Sequence, residues 1–148
     1  MTNRSDAAME KFKSGYNCAQ AVFYVFHEEL GIPEDTALKV ACGLGAGMGR
    51  KQEVCGAVTG GILVLGMRHG RGSKEERTAQ DSAYTKTREL MEFFAGKHGS
   101  CSCKDLLKDC DLSTVTGLLQ FKATGLLKKV CMPCVETVIQ FLEADKPQ

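Results

Sequence analysis

Residues 54–67, reading VCGAVTGGILVLGM, contain no charged side chain. A segment apolar on every side has to be surrounded by other elements, so it constrains the rest of the chain more than any other feature. It is too short to cross a membrane, which takes about 20 apolar residues, and it carries four glycines. Ile62-Leu63-Val64-Leu65 would suit strand or helix. Length and the spacing Gly56-x-x-x-Gly60 favour a helix, because two small side chains one turn apart let a neighbouring helix approach closely. The expectation is a buried, glycine-containing central helix with the other elements packed around it.

Those elements also read as helices. Residues 5–13 form a short polar helix broken at Ser14-Gly15. Asn17 then caps a second helix, with Gln20 completing a capping box, and Gly31 ends it. Pro33 to Ala41 gives a third, with Leu38, Ala41 and Cys42 on one side. After the central element, Ser73 and Glu76 make a capping box for a long helix with Ala79, Ala83, Thr87, Leu90, Met91 and Phe94 on one face, closed by Gly96 and Gly99. Ser102 with Asp105 caps a short helix through Leu107. Gly117 and Gly125 interrupt the next stretch. Pro133 opens a last helix with Val135, Val138, Ile139 and Leu142 inward. No repeat, low-complexity tract or linker divides the chain. The expected fold is all-α, a single bundle-like domain over residues 1–148.

Charge narrows the function. A formal net charge of +1 gives neither the basic field that nucleic acid needs nor an acidic tail. The polar start, Met1 to Asp6, lacks the apolar core of a signal peptide. A cytoplasmic protein with no membrane segment is expected.

In that setting eight cysteines call for an explanation, since cytosolic thiols are kept reduced and a chain of this length needs no staples. They are Cys18, Cys42, Cys55, Cys101, Cys103, Cys110, Cys131 and Cys134. Several fall at helix starts: Cys18 after Asn17, Cys103 after Ser102, Cys134 after Pro133, and Cys55 early in the central element. Unpaired N–H groups at a helix start favour a thiolate, the form that attacks disulfides and binds metals. The ordinary alternative is that each cysteine packs as a small hydrophobe. Cys131-Met132-Pro133-Cys134 can close a disulfide, with Lys128 and Lys129 adding positive charge, but the same spacing serves zinc. No βαβ pattern surrounds it, which argues against a thioredoxin fold. Cys101-Ser102-Cys103 suits paired metal ligation at least as well as a strained disulfide.

Other motifs fail. The run from Gly43 to Gly49 matches neither the dinucleotide fingerprint nor a phosphate loop, so its glycines are expected to allow a tight backbone path beside the buried element, with anion binding as the alternative. His27, His69 and His98 read as surface or helix-capping residues. Arg50 and Glu53 could tune a thiolate or bind an anion, or simply be surface charges. No Ser-His-Asp or paired-carboxylate arrangement can be argued, and no cofactor is assigned.

Tyr16-Asn17-Cys18-Ala19-Gln20-Ala21-Val22, the run ending Gly47-Met48-Gly49-Arg50, and Val54-Cys55-Gly56-Ala57-Val58-Thr59-Gly60 resemble the C_GCAxxG_C_C family, small bacterial and archaeal proteins to which redox activity is ascribed. The resemblance covers about residues 8–142 and implies four hallmark cysteines. Cys18 and Cys55 match the first two. Cys103, before Asp105-Leu106-Leu107, matches the third. Cys131, before Val135, fits the fourth, with Cys134 competing for that place. Cys42, Cys101, Cys110 and Cys134 look like additions.

Three functions follow. The first is a thiol-based redox protein, a thiol–disulfide oxidoreductase working through Cys18, Cys55, Cys103 and Cys131, with a redox protein or a small thiol as partner. The second is a zinc or iron–sulfur module using the same four thiolates as ligands. The third is a helical interaction domain with inert thiols.

Overall fold

The structure, a computed structural model, describes residues 3–145. Met1, Thr2 and residues 146–148 of the expected domain lie outside the described residues. The fold is all-α, as expected. Its helices are α1 (Asn3–Lys13), α2 (Cys18–Tyr24), α3 (His27–Leu30), α4 (Glu34–Ala41), α5 (Gly56–His69), α6 (Arg77–His98), α7 (Cys103–Leu107), α8 (Val115–Ala123) and α9 (Met132–Ala144). Among the described residues no helix is long and apolar enough to cross a membrane.

The central element is the helix α5, and its glycines do what their spacing suggests. A Cβ on Gly60 would stand 2.8 Å from the Ala19 carbonyl oxygen, so α2 lies directly on this face. A Cβ on Gly61 would meet Val138 of α9 at 2.6 Å and Leu90 of α6 at 2.9 Å. Two adjacent glycines thus admit α2 on one side and α6 with α9 on the other. Val58, Val64 and Leu65 of α5 are fully buried, each contributing about 1.5–3 kcal/mol of hydrophobic stabilisation. They meet Val22, Phe26, Phe94, Val138, Ile139 and Leu142 in one large apolar cluster. A smaller cluster gathers Cys103, Leu107, Cys110 and Leu112 under α8.

Local signals set some boundaries and not others. The Asn17–Gln20 box forms in both directions, with the Gln20 N–H donating to Asn17 Oδ1 at 2.9 Å and the Asn17 N–H to Gln20 Oε1 at 3.0 Å. The helix expected to run on to Gly31 breaks at Val25-Phe26 and resumes as α3, which Gly31 closes in the left-handed conformation. The Ser73–Glu76 box does not form. Glu75 instead turns back to accept the Gly72 N–H at 2.6 Å, leaving Glu76 extended as the cap of a helix that begins at Arg77. Gly96 lies inside that helix, and Gly99 alone caps it.

The last helix also differs. A π-helical turn, Leu127–Cys131, runs straight into α9. The Met132 N–H reaches back to the Leu127 carbonyl, and the wider turn carries the chain past Pro133, which has no N–H to give. Pro133 therefore does not open a free helix end.

Candidate functional site

The N-terminal end of α5 is held by a backbone seam. Cys55 is its N-cap. Its N–H donates to the Cys101 carbonyl at 2.7 Å, the Cys103 N–H donates to Glu53 at 2.7 Å, and the Lys104 N–H donates to Gln52 at 3.0 Å. A single-residue bridge pairs Val54 with Ser102. The preceding segment is strained: Ala46, Met48, Arg50 and Gln52 all have φ between +54° and +69°, which costs an L-residue about 1–2 kcal/mol each. It persists because neighbouring bonds fix it. The Gln52 N–H donates to the Ala46 carbonyl at 3.2 Å and the Glu53 N–H to Gly47 at 2.9 Å. Gly47 itself, at φ +67°, lies against the Gln52–Glu53 backbone where no side chain would fit.

Where the two apolar clusters meet, a cavity of about 340 Å³ is lined by Cys18, Cys55, Cys103, Cys131 and Cys134 among apolar residues such as Phe12, Leu106, Leu107 and Leu127. A larger surface cleft of about 610 Å³ beside Pro133, Gln140 and Glu143 holds no thiol. Each cavity cysteine has its own placement. Cys18 is the first residue of α2, fixed by the Asn17 box, and Asn17 is tied by Nδ2 to the Cys42 carbonyl at 2.9 Å. Cys18 Sγ rests against Gly56, where a Cβ would collide with it. Cys103 is the first residue of α7, behind Ser102, whose Oγ accepts the Asp105 N–H at 3.4 Å. Cys131 and Cys134, three apart, share one helical face.

The four cysteines matched by resemblance therefore line one cavity, together with Cys134. Cys131 and Cys134, the two candidates for the fourth place, both line it. The i, i+3 spacing of the C-x-x-C already carried that signal. The other three are elsewhere. Cys42 is exposed. Cys101 Sγ donates to the Met91 carbonyl at 3.3 Å, and Cys110 Sγ to the Gly117 carbonyl at 3.2 Å. All eight are free thiols in this structure.

The thiols differ in acidity. Burial pushes Cys18 up to about 11 and Cys103 to about 12, and charge on Cys55 adds to both. Cys131 and Cys101 are pushed up by the same causes. Cys55 alone among these is lowered. The Cys134 thiol donates to it, and the backbone N–H groups of Ala57 and Val58 at the start of α5 support it against the cost of burial. Cys134 is raised in turn, first because it donates to Cys55. The expectation that helix starts produce thiolates thus fails at Cys18 and Cys103, where burial outweighs the helix end, and at Cys134, which has no free helix end. It holds at Cys55, where a second thiol adds a hydrogen bond.

Among the described residues no three His, Cys, Asp or Glu side chains converge as a metal site. The histidine expectation is corrected at His69, which is buried with Nε2 donating to Asp145 at 2.9 Å. That partner lies 76 residues away in sequence, out of reach of any local signal. Gln52, unremarked in the sequence, is buried, and its side chain bonds the Cys110 carbonyl at 2.9 Å and the Leu112 N–H at 2.8 Å.

An all-α protein with a thiol-lined cavity at the start of its central helix is the class that fold and site define. The chain belongs to the C_GCAxxG_C_C family, whose model, described as "Putative redox-active protein (C_GCAxxG_C_C)", matches residues 16–144. No curated protein and no solved structure matches it.

Proposed function

We propose that this protein performs thiol–disulfide exchange with Cys55 as the attacking thiolate and Cys134 as the resolving thiol. The observation that carries the reading is the cavity at the start of α5, where Cys55 as the N-cap and Cys134 share one space with three further thiols; the lowered titration of Cys55 beside the Cys134 thiol supports it. A low-pKa thiol beside a protonated partner is the arrangement such chemistry needs. Cys18, Cys103 and Cys131 stay protonated around it, so negative charge in the cavity rests on one sulfur.

Cys55 attacks one sulfur of a disulfide, forming a mixed disulfide and releasing the other substrate sulfur as a thiolate that takes a proton from solvent. Cys134, its proton passed to solvent, then attacks Cys55 Sγ. The second substrate thiolate leaves, and a Cys55–Cys134 disulfide remains. Two electrons have moved from the protein to the substrate, and a cellular thiol reductant returns them. This cycle fits a compartment that keeps thiols reduced.

The test is to purify the protein without oxygen, measure zinc and iron, and titrate with a small disulfide while counting thiols. Metal-free wild-type protein should lose two thiols, mapping to Cys55 and Cys134, and Cys134→Ser should stop at the mixed disulfide on Cys55. Stoichiometric metal masking thiols until a chelator is added would replace this reading with the ligand one. A Cys55→Ser protein that still lost two thiols at the wild-type rate would overturn the assignment of Cys55.

A further inference from the structure

Beside the thiol cavity lies a second cleft, of about 580 Å³, lined by Arg50, Lys51, Lys104 and Lys108 together with Asp109 and Asp111. Arg50 lines both spaces. Among the described residues none of these four cations forms an ion pair, whereas Arg4, Lys11, Arg68 and Lys86 elsewhere each have a carboxylate partner. Of the two acids, Asp111 is engaged by the Ser113 N–H at 2.9 Å and Oγ at 2.6 Å, which hold its carboxyl below the usual range, with Lys104 assisting more weakly. The cleft keeps a surplus of positive charge. Its floor is fixed by the buried Gln52, whose side chain pins the loop at Cys110–Leu112 and whose carbonyl takes the Lys104 N–H at 3.0 Å. Four unpaired cations on a fixed floor form a site for an anion.

The neighbouring thiols limit what can carry that anion. Cys55 is 7% exposed and Cys134 1%, so a disulfide on a folded protein surface does not reach them. A small molecule entering the 340 Å³ cavity does, and spaces of that size are typical of small-ligand pockets. Building on the exchange reading above, we infer that the substrate is a low-molecular-weight disulfide with an anionic group, its sulfur at Cys55 and its anion held by Arg50, Lys51, Lys104 and Lys108.

The test compares the rates at which 3,3′-dithiodipropionate (anionic), 2-hydroxyethyl disulfide (neutral) and cystamine (cationic) oxidise Cys55. Lys104→Glu is the diagnostic variant, because a carboxylate in the first turn of α7 suits the helix end and should leave the fold intact. It should lower the ratio of the anionic to the cationic rate by about tenfold at low salt, and the wild-type preference should shrink as salt rises. Lys39→Glu, on the surface of α4, should leave the ratio alone. Inorganic phosphate or acetate should inhibit the anionic reaction, and whichever acts at lower concentration identifies the preferred head group; inhibition by neither counts against the site. An equal ratio in wild type and Lys104→Glu would overturn this inference while leaving thiol exchange standing. If none of the three disulfides oxidised Cys55, the exchange reading would fall and this one with it.

Discussion

The two ends of α5 solve opposite problems. At the C-terminal end, the Arg68 side chain is 2% exposed yet well engaged, donating to Glu29 at 2.8 and 3.0 Å, to the Leu142 and Asp145 carbonyls at 2.7 Å, and to Asp145 Oδ2 at 3.2 Å. His69 and Lys86 hold the same Asp145 carboxylate at 2.9 and 3.0 Å. These charges pair with one another and tie the end of α9 to α3, α5 and α6. At the N-terminal end, Cys55 has a cavity beside it, a strained backbone before it and a cluster of unpaired cations next to it. One end spends its polar groups on structure; the other leaves them available for chemistry.

The sharpest way to break this contrast is to damage each end in turn. Arg68→Met removes every bond that this buried guanidinium makes to Glu29, Leu142 and Asp145, leaving Arg4 on Glu29 and His69 with Lys86 on Asp145, and should cost about 3–5 kcal/mol in denaturant titrations, with the Cys55 titration unmoved. Cys55→Ser, nearly isosteric, should cost under about 1 kcal/mol while removing the fast-reacting thiol. Equal destabilisation by the two variants would mean that the thiol end is structural as well.

Next in size is the hydrogen bond on which the acidity of Cys55 rests. A bond to a charged group is worth about 1.5–3 kcal/mol, so Cys134→Ala should raise the Cys55 titration by about one to two pH units. Alkylation at neutral pH should slow by about 10- to 100-fold as the thiolate fraction falls. Rates measured against pH for both proteins would separate this shift from a general loss of access, which would lower the curve without moving it.

What could be read from the chain follows the same division. The helix starts at the thiol end were legible because their caps are local, Asn17 with Gln20 and Ser102 with Asp105, whereas the seam that joins residues 52–55 to 101–104 and the Gln52 bond to Cys110 were not. Nor was the salt-bridged end. His69 looks like a helix-end histidine until Asp145 arrives from α9, and nothing near Arg68 announces Glu29, 39 residues earlier. Acidity was illegible even at the thiol end. Cys18 and Cys103 carry the same helix-start signal as Cys55, and only the third dimension shows that burial outweighs it in two places and Cys134 reverses the balance in the third.

Within α5 a smaller effect of opposite sign is expected at its two ends. Gly56→Ala puts a methyl group into the space of Cys18 Sγ and 3.2 Å from the Leu44 carbonyl, which should cost about 1–3 kcal/mol and change the reactivity of Cys18. A Cβ on Gly66, exposed near the other end, meets nothing within 4 Å, so Gly66→Ala should stabilise by about 0.4–1 kcal/mol through chain entropy. Thermal melts of the two variants would decide it. A neutral Gly56→Ala would mean that the close packing against Cys18 is looser than it looks.

The finest distinction lies in how each end responds to pH. Arg68 holds Glu29 below its ordinary 4.5, and Asp145 lies below 3.8 because the bonds from His69 and Lys86 outweigh burial. Carboxyls lowered by folding add stability above those ordinary values and lose it as pH falls through the folded ones, so the C-terminal end of α5 should set the acid limb of the stability curve. The thiols act in the other sense. Cys18 and Cys103 rise from 9.0 to about 11 and about 12, so the folded state holds protons that the unfolded chain releases. Their contribution is complete below pH 9 and is lost as pH rises toward the folded values. Unfolding followed across pH should show Arg68→Met flattening the acid limb alone. Replacing Cys18 and Cys103 with alanine should flatten the alkaline limb alone, and a variant that altered both limbs would show that the two ends of the helix are not independent.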